Sequence, residues 1–263
     1  EPKAYSVREY YILNKIAPSL GLNQDMEELP VSVKPEKQLS VADVMYLLTE
    51  TYEGSELDPI ANIKVTRKAR GSEKVDTITS PYANPWMTGD MRAMINGLKP
   101  ETTAGHRTVA VPNCSYSTVI QLRDWLPDAV GGVAWLSFDN PGQSPRIPVF
   151  CGTTELPMAF SVCGQWRNDP TSIVWAFREA NKLATVKYGQ TREMMRKGFD
   201  HFVDKGQAEM PYVENRYSSI LTDKGETDAN EFLTGYTRDF AGAAVSYWDE
   251  LAKKMWAMYC RAF

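Results

Sequence analysis

Apolar positions along the chain follow two different rhythms, and each predicts its own kind of element. Tyr5, Tyr10, Leu13, Ile16 and Ala17 recur among charged positions before Pro18 closes the run, which predicts a short amphipathic helix over 5–17. The segment 23–38 is polar and broken by prolines. Ser40 then reads as an N-cap, with Val41, Val44, Leu47, Leu48 and Thr51 on one face of a second helix that stops at Gly54.

The rhythm changes in the middle. Four apolar or alternating runs, at about 106–112, 115–123, 132–138 and 146–151, are rich in β-branched and aromatic residues and predict consecutive strands. Asn113 marks a tight junction between the first two, and Asp128 to Gly132 a turn before the third. Helical spacing returns over 171–188, with Ile173, Val174, Phe177, Ala180, Leu183 and Ala184 on one side. It continues in a helix over about 190–206 and a long one over about 226–262, where Phe232, Tyr236, Phe240, Ala244, Trp248, Leu251 and Met255 form a stripe that must be packed. The fold class is therefore α+β, with strands in the middle and helices at both ends.

Between these parts, 55–103 lacks a steady rhythm because Pro59, Gly71, Pro81, Pro85, Gly89, Gly97 and Pro100 interrupt it. An irregular excursion of this length within a single domain over 1–263 is the expectation. Its basic run, Lys64 to Arg70, reads as a solvated loop or an edge strand rather than an anion patch, since like charges on an edge discourage further pairing.

Composition narrows the class without naming a chemistry. The 263 residues are 43% apolar and 24% charged, with a net charge of −4, so nothing points to nucleic acid as a partner. No run reaches the ~20 apolar residues of a membrane span, and EPKAYSVREYY lacks the basic region and apolar core of a signal peptide. Four cysteines, Cys114, Cys151, Cys163 and Cys260, are too few for a disulfide framework and lack CxxC spacing, so buried thiols are expected. The Cys151–Cys163 pairing stays open.

The usual catalytic signatures are missing. The two histidines, His106 and His201, fall in different kinds of element and give no zinc spacing. There is no phosphate-binding glycine loop and no GxSxG, and the carboxylates do not group. Asn113-Cys114-Ser115 matches a glycosylation acceptor by coincidence. Arg107 stands out at the head of an otherwise apolar run. It could present rigid donors to a carboxylate or amide carbonyl, or pair with a nearby acid at a strand end.

The stretch HRTVAVPNCSYSTVIQLRDWLPDAVGGVAWLSFDNPGQSPRIPVFCGTTELP resembles the PepD-type dipeptidases, a family of N-terminal-nucleophile hydrolases. That family shows an arginine-led strand, a "QLR…LP…GGV.W" strand pair and then "S…P.Y.G.TE.P". REYYILNKIAPSLGL, VSVKPEKQLSVADVMYLLTETYEGSELD and WAFREANKLATVKYG extend the similarity over about 8–188. The resemblance implies an αββα sandwich, hydrolysis of dipeptides and no cofactor. It also implies a processed N-terminal cysteine whose own α-amino group is the general base.

Here the sequence departs from the family. Residue 1 is Glu, followed by Pro2, and each cysteine is internal. The chain is accordingly expected to be the C-terminal portion of a cysteine-dependent dipeptidase, with its nucleophile on a missing upstream segment, and to be inactive alone. By analogy with related amidases, Arg107 becomes a substrate-binding candidate, and Ser115 and Tyr116 are candidates to line the pocket. The competing expectations are a non-catalytic binding or scaffold module of the same fold and an N-acyl amidase of the same superfamily. A homo-oligomer is left open, and an extracytoplasmic or periplasmic location is slightly favoured over a cytoplasmic one.

Overall fold

The computed structural model describes residues 5–68, 71, 73–163 and 167–261. Two compact units emerge, Glu1–Val111 and Pro112–Phe263.

The first unit begins with helix α1, Val7–Ile16, whose N-cap Ser6 and third residue Glu9 form a reciprocal capping box. Helix α2, Val41–Leu47, starts on the expected Ser40, and Asp43 closes the same kind of box. It ends at Leu48, short of Gly54, because the backbone turns into a loop where Tyr52 takes a left-handed φ of 69°. Tyr10, Leu22, Tyr52 and Leu57 make the small core, with Tyr11 meeting the Tyr52 ring edge-on at 4.8 Å.

The stretch 55–103 is more regular than its punctuation suggested. It holds strands β1, Lys64–Lys68, and β2, Val75–Thr79, paired as an antiparallel hairpin, and helix α3, Gly89–Leu98. All five residues of β1 are exposed, which is the edge-strand reading of the basic run; Ala69 and Arg70 lie outside the described residues.

The second unit is built on three antiparallel strands in the order β3, Tyr116–Gln121; β4, Val133–Phe138; and β5, Ile147–Phe150, with the short helix α4, Asp128–Gly131, between the first two. The first of the four expected strands, 106–112, is not one. Its alternation is real, since Thr108 and Ala110 are buried while Val109 and Val111 are half-buried, yet its polar groups go elsewhere than a ladder. The Ala110 N–H donates to the Glu50 carbonyl, and the Ala110 carbonyl accepts from Trp86 Nε1 at 2.9 Å. Arg107 is thus on an extended loop of the first unit.

Helices α5, Met158–Ser161; α6, Ile173–Val186; α7, Tyr188–Lys224; and α8, Glu226–Cys260, complete the second unit. The α8 stripe predicted by spacing supplies Phe240, Ala244, Trp248, Leu251 and Met255 to the core, together with Ile173, Phe177 and Phe202. Helix α7 runs well past 206, through Pro211. The proline removes one bond to the carbonyl at 207, and both residues are exposed, so water satisfies what the helix loses.

Two glycines let these layers close up. A Cβ at Gly206 would lie 2.7 and 2.9 Å from atoms of the Trp135 ring, so α7 can lie against β4 only without a side chain there. A Cβ at Gly131 would meet the Arg123 carbonyl at 2.7 Å, which accounts for the paired glycines before β4.

Candidate functional site

The sheet's register explains how the motif residues are used. On β4, burial alternates, with Val133, Trp135 and Ser137 buried and Ala134, Leu136 and Phe138 partly open. Val119, Gln121 and Ser117 lie opposite Trp135, Val133 and Ser137, and Trp135 Nε1 donates to Gln121 Oε1 at 3.1 Å. This face is covered by helices.

The other face is largely uncovered along β3. Tyr116, Ile120 and Leu122 are 66%, 69% and 76% exposed, and opposite Tyr116 and Ile120 stand the partly open Phe138 and Ala134. A strand that turns its apolar residues outward at alternate positions presents a surface suited to packing, not to water.

The family-motif arginine Arg123 is structural. It is 7% exposed, donates through Nε to the Gly131 carbonyl at 3.2 Å and through Nη2 to the Val130 carbonyl at 2.7 Å, and pairs through Nη1 with Glu214 of α7. One side chain therefore ties the end of β3 to α4 and α7.

Of the three predicted site residues, Arg107 belongs to the first unit, and Ser115 and Tyr116 to the second. The Arg107 side chain is exposed, while its carbonyl accepts from Tyr52 Oη at 2.8 Å. Tyr52 is fully buried, and burial pushes its phenol up to about 12, so it is a hydroxyl donor at neutral pH. The first unit also carries an open groove of about 880 Å³ between α1 and residues 28–31, lined by Arg8, Glu9, Ile12, Leu29 and Val109 among others. Ser115 is exposed and its carbonyl accepts from the Asp139 N–H at 3.2 Å. Tyr116 heads the uncovered face of β3.

Sequence reasoning passed over the polar centre of the second unit. Asp139 is wholly buried with a left-handed φ of 60°. It accepts from Arg178 Nε at 2.8 Å and Asn181 Nδ2 at 2.9 Å, and Asn181 also reaches Ser144 at 2.8 Å and receives Trp248 Nε1. Arg146, 1% exposed, donates to the Ser117 carbonyl and hydroxyl and to the Trp135 carbonyl, while its Nε is without a partner. A charged residue inside the apolar run before β5 was the available signal.

The cysteines differ from expectation. Cys151, Cys163 and Cys260 are exposed and Cys114 is half-buried, and no disulfide joins any two of them. The buried-thiol reading fails because three of them sit at element ends or in loops, away from the core. His106 is half-buried, and His201 stacks on Tyr247 with the rings 5.5 Å apart. Among the described residues, no group of three or more histidine, cysteine or acidic side chains is placed to hold a metal ion, and no helix is long and apolar enough to cross a membrane.

Comparison with known proteins supplies what this geometry leaves open. The chain is 26% identical over 148 residues to a protein named "Probable dipeptidase" from Latilactobacillus sakei, a match covering 56% of the chain and 24% of that protein. It is 24% identical over 151 residues to "Probable dipeptidase B" from Streptococcus pyogenes serotype M1, covering 57% of the chain and 25% of the relative. A "Probable dipeptidase B" from Lactococcus lactis subsp. lactis (strain IL1403) is 20% identical over 238 residues, 87% of the chain and 40% of the relative. The matched regions thus span between a quarter and two-fifths of these relatives' length. The profile of peptidase family C69 matches residues 2–200, three-quarters of the sequence and all of the motifs from α1 to α6. On that match, the chain belongs to peptidase family C69.

Proposed function

We propose that this chain is the C-terminal portion of a cysteine-dependent dipeptidase, contributing one sheet of an αββα sandwich and a wall of the substrate site. The observation that carries the reading is family membership over residues 2–200, joined to relatives that bear the name dipeptidase. The nucleophile in this reading lies on a segment outside the chain. Each of the four thiols is internal and so lacks an α-amine of its own to act as base.

The uncovered apolar side of β3 supports the sandwich. Ile120 and Leu122 would pack against a second sheet about 10 Å away, which is how sandwiches bury such faces. Arg107, exposed on a loop whose carbonyl is pinned by Tyr52, is assigned to substrate, where a guanidinium would pair with the dipeptide carboxylate. Ser115 and Tyr116 are assigned to the pocket wall.

The test is a substrate panel on the complete protein that contains this chain. Cleavage of dipeptides in preference to N-acyl amino acids is the expected result. Preference for the N-acyl substrates would make it an amidase of the same superfamily, and a folded protein that binds but cleaves neither would make it a binding module.

A further inference from the structure

Helices α7 and α8 leave an open groove of about 550 Å³ between them, a size suited to a small molecule. Its walls come at helical spacing, with Lys205, Glu209 and Tyr212 from α7 and Phe232, Tyr236, Asp239 and Phe240 from α8. Ala208, Gly235 and Ala243 also line it and place no bulk between the rings. Tyr212 meets Phe232 edge-on with centroids 6.5 Å apart, and Tyr236 tilts against Phe240 at 6.0 Å. Tyr212 is 61% exposed, so much of its ring is open to an incoming group.

The groove already holds one cation. Lys205 Nζ sits 5.7 Å from the centre of the Phe240 ring and pairs with Glu209 Oε1, while Glu209 Oε2 accepts from Tyr236 Oη at 2.9 Å. Burial pushes the Tyr236 phenol up, so it remains a donor to Glu209 at neutral pH. An aromatic face with a carboxylate beside it is the arrangement that holds an ammonium group. A second carboxylate, Asp239, lines the same groove and meets its sequence neighbour Arg238 at 3.6 Å, with both side chains largely exposed. Two carboxylates against one ammonium leave the lining negative.

We propose that this groove is a binding site for small organic cations, a quaternary or alkyl ammonium on an apolar stem, and that Lys205 is the resident group such a ligand displaces. The ammonium would occupy the face of Phe240 with Glu209 and Asp239 as its counter-charges, and the stem would lie along Tyr212 and Phe232. The inference uses only α7 and α8 and stands whether or not the peptidase reading does.

The test is isothermal titration of the complete protein with choline and with its neutral isostere, the alcohol in which carbon replaces the charged nitrogen. Choline is expected to bind about fivefold more tightly or better, since only the cation gains from the rings and carboxylates. Tyr212→Ala and Asp239→Asn, both at exposed positions, should each weaken choline binding by about threefold or more. Lys205→Met should strengthen it by about threefold or more, because Glu209 and Phe240 lose their resident partner. Equal affinity for the two probes overturns the proposal. So does a choline affinity that Lys205→Met leaves unchanged or lowers, or a preference for choline that survives both Tyr212→Ala and Asp239→Asn.

Discussion

The hydroxyl of the fully buried Tyr52 donates to the carbonyl of Arg107 at 2.8 Å, so the backbone of the candidate substrate residue is fixed while its side chain stays exposed. Anchoring and function are separable on that basis. Arg107→Ala in the complete enzyme should lower turnover by about tenfold or more with the melting temperature nearly unchanged. Tyr52→Phe should instead lose about 1 kcal/mol of stability by leaving the carbonyl without its donor. A destabilised Arg107→Ala with turnover proportional to the folded fraction would return Arg107 to a structural role.

Trp135 and Gly206 define how α7 meets the sheet, because the ring occupies the space a Cβ would need. Gly206→Ala should destabilise the second unit by about 1–3 kcal/mol through overpacking, despite alanine's higher helix propensity. Denaturant unfolding checks this, and a neutral or stabilising alanine would mean that α7 can slide away from β4.

Asp139 combines complete burial, a left-handed backbone and two donors from α6. Asp139→Ala should cost about 2–3 kcal/mol, since it strands Arg178 and Asn181, although the partly exposed Arg178 recovers some hydration. Asp139→Asn should cost less, because asparagine tolerates the same φ and keeps an acceptor. Equal losses for the two variants would show that the charge, not the loop geometry, matters.

The two capping boxes give a pH signature. Backbone N–H groups of Ser6 and Ser40 hold the Glu9 and Asp43 carboxyls below their ordinary values of 4.5 and 3.8. A carboxyl with a depressed folded pKa stabilises the fold above its ordinary value, and that contribution is lost as pH falls through the lower folded value. Protection against amide exchange at the starts of α1 and α2 should therefore fall as the pH drops below those ordinary values, and Asp43→Asn should remove the pH-dependent part for α2 because it leaves no carboxyl to titrate. An unaltered pH profile in that variant would contradict the assignment.

Much of the second unit was legible because its signals are local. The α8 stripe and the runs that became β3 and β4 each express burial of one side. Ser40 announced α2 because capping is decided within four residues. The run at 106–112 carried the same alternation as a strand, but whether a partner strand lies beside it is a long-range fact, and here Tyr52, Trp86 and Glu50 take its polar groups. Arg123 and Arg146 show the complementary limit. Both look like surface charges in sequence, and only the packed structure reveals one as a clamp on α4 and α7 and the other as a buried cation donating to Ser117 and to the Trp135 carbonyl.

The central claim concerns where the nucleophile lies, and the most direct measurement is dipeptide hydrolysis by this chain alone and by the same chain joined to a segment that begins with a cysteine exposed by processing. The account predicts no turnover for the chain alone, turnover for the joined protein, and its loss when that cysteine is replaced by alanine. Hydrolysis by the chain alone, or turnover that survives the alanine replacement, would contradict it.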